Sequence, residues 1–370
     1  MSTRQSESSE LYDDEKREFD NPIDTPVEVN YSGQDFDVHG LVGRLNRGDI
    51  LIPRFGNNRD DIETEGFQRG FVWKKTQQDR FIESILLGYP IPNIFLVKQA
   101  DEALLVLDGQ QRLLTLQQFY SGKTFAGRRF LLANVSEEFR GRTYQDLNTR
   151  LRRKLDNALI QAIVLSTGSS EVDHRAIYQI FERLNAGGTQ LTAHEIRIAS
   201  YPGKLVDYIE ILNSDPNWRS LYGPRSPRLR DHELVTRILA MYLDWKHYSR
   251  PLKNFLNDFM EAGLSKEVSE AAALFTDAAR LINNVQEMGK GPTKRSALKL
   301  QSNQTNNSWS DALFIGVMTG LSEGTVTLGS IIKGVAELRS SEEFIGAATG
   351  PTSDEKHVTK RMQLAVKAFT

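Results

Sequence analysis

The spacing of apolar positions along the chain changes near residue 200. Before that point, short apolar runs of strand length stand between segments with helical spacing. After it the spacing is helical throughout, and one apolar stripe consists of Leu234, Val235, Ile238, Leu239, Tyr242 and Leu243. The pattern predicts an α+β fold, with a small mixed sheet domain over 35–200 followed by an all-helical domain over 201–370.

The first part of the sheet domain is expected to begin near Val38, after a mobile acidic tail over 1–34 that is rich in Ser, Asp and Glu. HGLVGRLNRG (39–48) has the spacing of a short helix, and DILIPRF (49–55) that of a strand. The following stretch, 57–73, has no period and several turn formers, which predicts a long loop. Long loops in compact domains are often functional.

A helix is predicted over 76–87, with Thr76 as its N-cap and GYPIP (88–92) as its end. The apolar runs NIFLVK (93–98) and ALLVL (103–107) predict a hairpin, because only a few polar residues separate them. A helix that runs to about Tyr120 comes next.

Two more strands are predicted later in the domain, RRFLL (128–132) and ALIQAIVL (158–165). A helix is expected over 172–184. Thr192, with Glu195 three places later, has the capping-box pattern that begins another helix. In the helical domain, the polar segment 286–310 is expected to be a long loop.

Composition excludes several classes of site. The 370 residues include no cysteine, which removes disulfides, thiolate nucleophiles and cysteine-ligated metals. Six scattered histidines without an HExxH motif argue against a histidine-rich metal site. No apolar run approaches the roughly 20 residues that span a bilayer, and the polar N-terminus is not expected to be a secretory signal. A cytoplasmic protein without a membrane partner is expected.

The stretch DGQQR (108–112), between an apolar run and a predicted helix, has two interpretations. In the first, Asp108 caps the helix, and Gln111 completes a D-x-x-Q capping box, while Gly109 eases the turn. In the second, the helix start receives phosphates on its backbone N–H groups. Arg112 would then add a planar fork for phosphate oxygens, and Asp108 would hold Mg²⁺. The two interpretations are compatible.

Three other stretches have a structural and a functional interpretation. In FQRGFVW (67–73), Trp73 anchors the loop on the core, or Arg69 and Trp73 form a phosphate clamp beside a stacking surface. In FERLNAGG (181–188), the glycines end a helix, or Asn185 faces the same cleft as DGQQR.

The third stretch is the loop GPRSPRLRD (223–231), which carries Arg225, Arg228 and Arg230. These arginines are either solvated or contact nucleic-acid phosphates. The formal net charge of −2 gives the chain as a whole no electrostatic footprint for nucleic acid.

The order of three motifs resembles one family. FQRGFVWKKTQQDRFIESILLGYPIPNIFLVK, then VLDGQQRLLTLQQF, then IFERLNAGGTQLTAHEIR is similar to the N-terminal domain of GmrSD-type restriction endonucleases. The resemblance covers about 35–200. It implies a fold related to the ParB and sulfiredoxin nucleotide-binding domains. It also implies binding, with hydrolysis, of a nucleoside triphosphate with Mg²⁺.

By motif match, the resemblance assigns the nucleotide site to Arg69, Trp73, Asp108, Gly109, Gln110, Gln111, Arg112 and Asn185. We hypothesise that Asp108 and Arg112 are the catalytic residues: Arg112 would stabilise charge in the transition state, and Asp108 would be a metal ligand or would position the attacking water. The resemblance further implies a role in bacterial defence against phage DNA. His247 and His357 lack the companions of an HNH nuclease motif, so cleavage is expected from a separate nuclease subunit.

Three functions follow as hypotheses. The leading one is a nucleotide-binding, NTP-hydrolysing regulatory module of a DNA-processing or defence system. The second is a DNA-binding module without chemistry, and the third is a scaffold whose pocket has degenerated.

Overall fold

The computed structural model describes residues 30–52, 73–99, 102–166, 174–184, 192–201, 203–226, 228–288, 297–300 and 305–370. These residues form two compact units, one ending at Ser200 and the other running from Tyr201 to Thr370. The first unit contains a five-stranded mixed sheet, whereas the described part of the second has helices and no strand. The predicted α+β class is therefore confirmed.

The strands are β1 (Asn30–Asp37), β2 (Ile50–Leu51), β3 (Ile94–Lys98), β4 (Leu104–Asp108) and β5 (Leu159–Ser166). The helices of the sheet unit are α1 (Val38–Arg47), α2 (Lys75–Leu87), α3 (Gln110–Ser121), α4 (Thr149–Asp156), α5 (His174–Leu184) and α6 (Ala193–Ser200). The helices of the other unit are α7 (Lys204–Asn213), α8 (Pro216–Tyr222), α9 (Arg230–Asp244), α10 (Leu252–Ala262), α11 (Lys266–Met288), α12 (Asn307–Glu323), α13 (Leu328–Ser340), α14 (Glu342–Thr349) and α15 (Glu355–Phe369).

The sheet has the strand order β1-β5-β3-β4-β2. The pairs β1–β5 and β3–β4 are antiparallel, while β3–β5 and β2–β4 are parallel. The antiparallel β3–β4 pair confirms the predicted hairpin. Its register shifts at the end of β4, since Asp108 lies opposite Phe95 but Val106 lies opposite Leu96. Such a bulge re-aims the residues beside it.

The first strand corrects the predicted tail, because the sheet domain begins by Asn30 rather than near Val38. Strand β1 pairs along its whole length with β5 at the edge of the sheet. Its sequence, NYSGQDFD, is mostly polar, and nearly all of its residues are exposed. Backbone pairing supplies the stabilisation, so the strand lacks the apolar alternation that predicts strands. The rest of the predicted tail lies outside the described residues.

Two other predicted strands are also corrected. RRFLL (128–132) forms only an isolated bridge between Lys123 and Arg129, and its Phe130 and Leu132 are buried as anchors of an irregular segment. Of the predicted strand 49–55, only Ile50–Leu51 is a strand, and 53–55 lie outside the described residues. ALIQAIVL is confirmed as β5.

The structure tests the predicted start of two helices, α2 and α6. Helix α2 begins one residue before the predicted cap: Lys74 is its N-cap, and the Lys74 amide donates to Gln77 Oε1 at 2.9 Å. Thr76 is therefore inside the first turn. The capping box of α6 is confirmed, since the Thr192 amide donates to Glu195 Oε2 at 2.6 Å and the Glu195 amide to Thr192 Oγ1 at 3.1 Å.

The core of the sheet unit lies between the sheet and helices α1 to α4. Its fully buried members include Ile82 of α2, Ile94 and Leu96 of β3, and Leu113 and Phe119 of α3. Apolar positions of α3 recur at helical spacing, so one side of the helix enters the core while its first turn remains at the edge of the sheet.

The helical unit packs around α12, of which nearly every residue before Gly320 is buried. Trp218 lies 5.4 Å from Phe275 and 5.6 Å from Phe314, measured between ring centroids. A buried ion pair of 2.6 Å joins Arg237 of α9 to Asp311 of α12. The predicted loop over 286–310 is shorter than expected, because α11 extends to Met288 and α12 begins at Asn307.

Candidate nucleotide site at the β4–α3 junction

Gly109 makes the turn between strand β4 and helix α3. Its φ is +100°, in the left-handed region that favours glycine. A Cβ at this position would overlap Cγ2 of Ile94 and would lie 2.9 Å from the Ile94 Cβ. The turn expected from the sequence is thus one reason for this glycine. The structure adds a second reason, which is the close approach of the core residue beneath it.

The predicted D-x-x-Q capping box is wrong. Asp108 is the last residue of β4, and Gly109 is the N-cap of α3, so no side-chain cap hydrogen bond closes this helix start. Asp108 still pairs with Phe95 of β3, so strand β4 extends through the position that the pattern assigned to the cap. The Asp108 and Gln111 side chains consequently have other partners.

The Arg112 guanidinium is the centre of the junction. Its Nη2 lies 2.5 Å from Asp108 Oδ2, and its Nη1 donates to the carbonyl of Asn93 at 3.0 Å and to that of Pro92. Only 11% of the Arg112 side chain is exposed. Burial lowers the pKa of Arg112, and the ion pair with Asp108 opposes that lowering. Arg112 therefore holds the loop before β3 against the end of β4.

Asp108 is the accessible charged group of the junction, with 51% of its side chain exposed. Its Oδ2 accepts a hydrogen bond from the Arg112 guanidinium, and this bond fixes the orientation of the carboxylate. No group of three or more His, Asp and Glu that could hold a metal ion exists in the described part of the chain. A metal at this position would therefore depend on one protein carboxylate and on oxygens of a ligand.

Gln111 ties the junction to Trp73, the last residue of the predicted long loop, of which 57–72 lie outside the described residues. Its side-chain Oε1 accepts a hydrogen bond from the Trp73 amide at 3.1 Å. The Trp73 ring packs edge-on against Phe81, with the centroids 5.6 Å apart, and belongs to the boundary of the core. This geometry matches the structural interpretation of Trp73, an anchor of the loop. It also brings the end of FQRGFVW beside the start of α3.

Of the remaining residues of the predicted nucleotide site, the structure describes one and not the other two. Gln110 is the first residue of α3 and is half-buried. Arg69 and Asn185 lie outside the described residues, so their placement beside DGQQR stays a prediction.

The arginines at 225, 228 and 230 belong to the helical unit and are all half-buried. The Arg225 guanidinium lies 2.5 Å from Glu210 Oε1 and donates to Ser214 Oγ at 2.6 Å. This arginine is thus occupied within the protein. The role in DNA binding that was suggested for the three stays a prediction.

The carbonyls of Pro92 and Asn93 were not expected from the sequence as partners of Arg112. The sequence contains one weak signal for this contact, the two prolines of GYPIPN before β3. Proline has no backbone N–H and pairs poorly in a sheet, so carbonyls in this stretch are available to a side-chain donor. The long-range pairing of that loop with α3 has no local signature.

Fold and junction together define an α+β domain whose strand–glycine–helix turn presents one oriented carboxylate. Residues 51–202 match the family model described as GmrSD restriction endonuclease, N-terminal domain. The match confirms, for this region of the chain, the resemblance seen in the motifs to the N-terminal domain of that class of restriction endonuclease. The comparisons with curated proteins and with solved structures give no match. No described helix is long and apolar enough to cross a membrane.

Proposed function

We propose that the protein is a nucleotide-binding regulatory module of a restriction or defence system, with the triphosphate held at the β4–α3 junction. The observation that carries the proposal is the oriented, half-exposed Asp108 carboxylate beside a helix start that has no side-chain cap. A helix N-terminus has a positive dipole end, which favours phosphate groups.

The residues present fit a magnesium nucleotide. Mg²⁺ is commonly held by one or two carboxylates together with the phosphates of its nucleotide, so the single Asp108 is a sufficient protein ligand. When bound there, the ion would neutralise charge on the phosphates. Asp108 would hold the ion or orient a water molecule, while the first turn of α3 would face the phosphates.

Arg112 has a different role in this proposal from a direct phosphate clamp. Its guanidinium already serves Asp108 and two carbonyls, and most of the side chain is buried. We assign it the role of a positioning residue that keeps the Asp108 carboxylate oriented. Hydrolysis, if the module turns its nucleotide over, would then depend on Asp108 more directly than on Arg112.

The test measures thermal unfolding of the wild type and of Asp108→Asn with ATP, GTP, CTP and UTP, each with and without Mg²⁺. A nucleotide at about 100 times its Kd should stabilise the wild type by roughly 2.7 kcal/mol. Asn keeps an oxygen for Arg112, so the variant should fold but lose the Mg²⁺-dependent stabilisation. Asp207→Asn, an exposed carboxylate of α7, is the matched control and should behave as the wild type.

Arg112→Lys separates positioning from direct contact. A positioning role predicts a less stable free protein and weaker Mg²⁺ dependence, with the affinity for metal-free nucleotide nearly unchanged. An equal loss of affinity with and without Mg²⁺ would instead favour direct phosphate contact. The absence of any shift for the wild type with all four nucleotides would contradict nucleotide binding and would favour the scaffold hypothesis.

A further inference from the structure

The segment that joins α3 to β5, residues 122–157, has a charge opposite to that of the whole chain. It carries nine Lys and Arg and four Asp and Glu, a net charge of +5, while the complete chain carries −2. The rest of the protein therefore carries a net charge of −7, and this excursion is a positively charged segment within it. We call it the basic excursion.

Apolar contacts fix one side of the basic excursion to the core. Its buried apolar side chains are Phe130, Leu132, Val135, Phe139, Leu147 and Leu155. Asp79 of α2, which is fully buried, accepts the amides of Ala133 and Asn134 at 3.1 and 2.9 Å. Glu83, one turn later on the same helix, accepts the amide of Ser136 at 2.7 Å. The segment is therefore anchored, although most of it is irregular.

The anchored backbone directs its cations outward. Arg128 and Arg140 are exposed, as are three residues of helix α4: Arg150, Arg153 and Lys154. The α4 residues are spaced i, i+3 and i+4, so they lie on one helix face. None of these five cations has an ion pair with the described residues, in contrast to Arg129, which lies 3.5 Å from Asp146.

We propose that the exposed cations of the basic excursion form a contact surface for the sugar–phosphate backbone of nucleic acid. Seven of its nine cations are arginines, whose planar guanidinium matches phosphate oxygens in two-point contacts. No large hydrophobic side chain of the excursion itself is among the exposed ones, so the surface that this segment presents is mainly cationic. This proposal does not depend on nucleotide binding at the β4–α3 junction.

An exposed aromatic ring lies next to this cationic face. Tyr89, which is 60% exposed, follows Gly88 at the end of α2. A side chain at Gly88 would begin 3.5 Å from Cε of Lys154, so Lys154 reaches over this turn. Aromatic rings bind single strands by stacking on bases, whereas a duplex offers mainly its phosphates. A substitution at Tyr89 therefore tests which of the two forms of nucleic acid the surface binds.

The experiment measures the binding of the full chain to a fluorescent DNA duplex of about 30 base pairs by anisotropy. The salt concentration is varied between about 50 and 200 mM. The variant Arg150→Gln/Arg153→Gln/Lys154→Gln should bind more weakly, and the log–log salt slope should fall by about 0.9 for each phosphate that the variant no longer neutralises. Its thermal shift with Mg²⁺ and nucleotide should stay that of the wild type.

The matched control removes the same charge elsewhere. Lys204, Lys333 and Lys367 are exposed lysines of the helical unit, and their triple change to Gln should leave duplex affinity and salt slope nearly unchanged. An equal loss in both triple variants would overturn the proposal, because affinity would then follow net charge alone. Wild-type protein that does not bind DNA, or that binds without salt dependence, would also overturn it.

Two further arms complete the test. If the α4 variant folds poorly, Arg128→Gln/Arg140→Gln tests the same surface from the irregular part of the excursion and should weaken binding by at least several-fold. Tyr89→Ala should reduce affinity for single-stranded DNA and spare the duplex if the ring stacks on bases. Binding to phosphatidylserine vesicles or to poly-glutamate that exceeds DNA binding, and that needs the α4 cations, would assign the surface to another partner.

Discussion

The β4–α3 junction and the basic excursion lie in the same unit and both depend on arginine, but they use it in opposite ways. At the junction, Arg112 is 11% exposed and binds one carboxylate and two carbonyls of the protein. In the excursion, Arg150 and Arg153 are exposed and have no ion pair with the described residues. One arginine stabilises the fold, and the others are available to a partner.

The comparison shows that an arginine in a recognisable motif is not by itself a ligand contact. A guanidinium that is buried must satisfy its N–H groups within the protein, since unsatisfied buried donors cost about 1–3 kcal/mol each. Arg112 meets that requirement through Pro92, Asn93 and Asp108. The exposed arginines of α4 are hydrated and carry no such penalty, so phosphates can replace their water.

The largest effect should come from detaching the basic excursion at its buried anchor. Asp79→Ala removes the acceptor of the Ala133 and Asn134 amides and the partner of Lys75, so we expect a loss of about 3 kcal/mol in the free energy of unfolding. Denaturant unfolding measures it. Glu83→Ala removes one exposed hydrogen bond on the same helix and should cost about 0.5–1 kcal/mol. Equal losses for the two variants would show that the Asp79 contacts are not a special anchor.

Each of the two regions has a glycine with a left-handed φ, so the same substitution can be compared in both. Gly109→Ala combines a left-handed φ with overlap on Ile94, and we expect it to cost about 2–3 kcal/mol of unfolding free energy. Gly127, in the excursion, has a φ of +72°, but a Cβ added there would meet no atom within 4 Å. Gly127→Ala should therefore cost only about 1 kcal/mol in the same denaturant measurement. If Gly127→Ala cost as much, strain in φ alone would explain both glycines.

The smallest effect concerns the tyrosines that join the excursion to α3. Tyr120 donates to Asp156 Oδ1 at 2.6 Å and stacks on Tyr144, with ring centroids 4.2 Å apart. Burial, then the hydrogen bond to Asp156, raises the pKa of Tyr120. The folded state therefore keeps this proton when the unfolded chain loses it near pH 10, and stability falls as the pH rises above that value.

Urea unfolding of the wild type and Tyr120→Phe between about pH 9 and 11 tests this dependence. The Tyr120 contribution to the fall should be less than about 1 kcal/mol, because the half-buried pair is partly screened by water. The Phe variant should show a flatter dependence on pH. Parallel curves would mean that the Tyr120–Asp156 hydrogen bond does not distinguish the protonation states.

Local patterns predicted those elements whose stability comes from their own residues. Helix α1, the β3–β4 hairpin, β5 and the capping box of Thr192 and Glu195 have apolar periods, turn residues or caps within a few positions of one another. The order of three motifs was enough to predict the family of the sheet domain. The pattern also predicted the change from mixed sheet to helices.

Only the tertiary structure decided what depends on distant partners. Strand β1 was missed because its stability comes from backbone pairing with β5, about 130 positions away, and its side chains remain in solvent. The cap predicted at Asp108 was wrong because Asp108 still pairs with Phe95 as part of β4, which leaves the N-cap position to Gly109. Arg112 is occupied because the loop before β3 presents two carbonyls to it. The sequence determined which residues meet their neighbours along the chain, while long-range packing determined which polar groups remain available to a ligand, because burial requires each such group to be satisfied inside the protein.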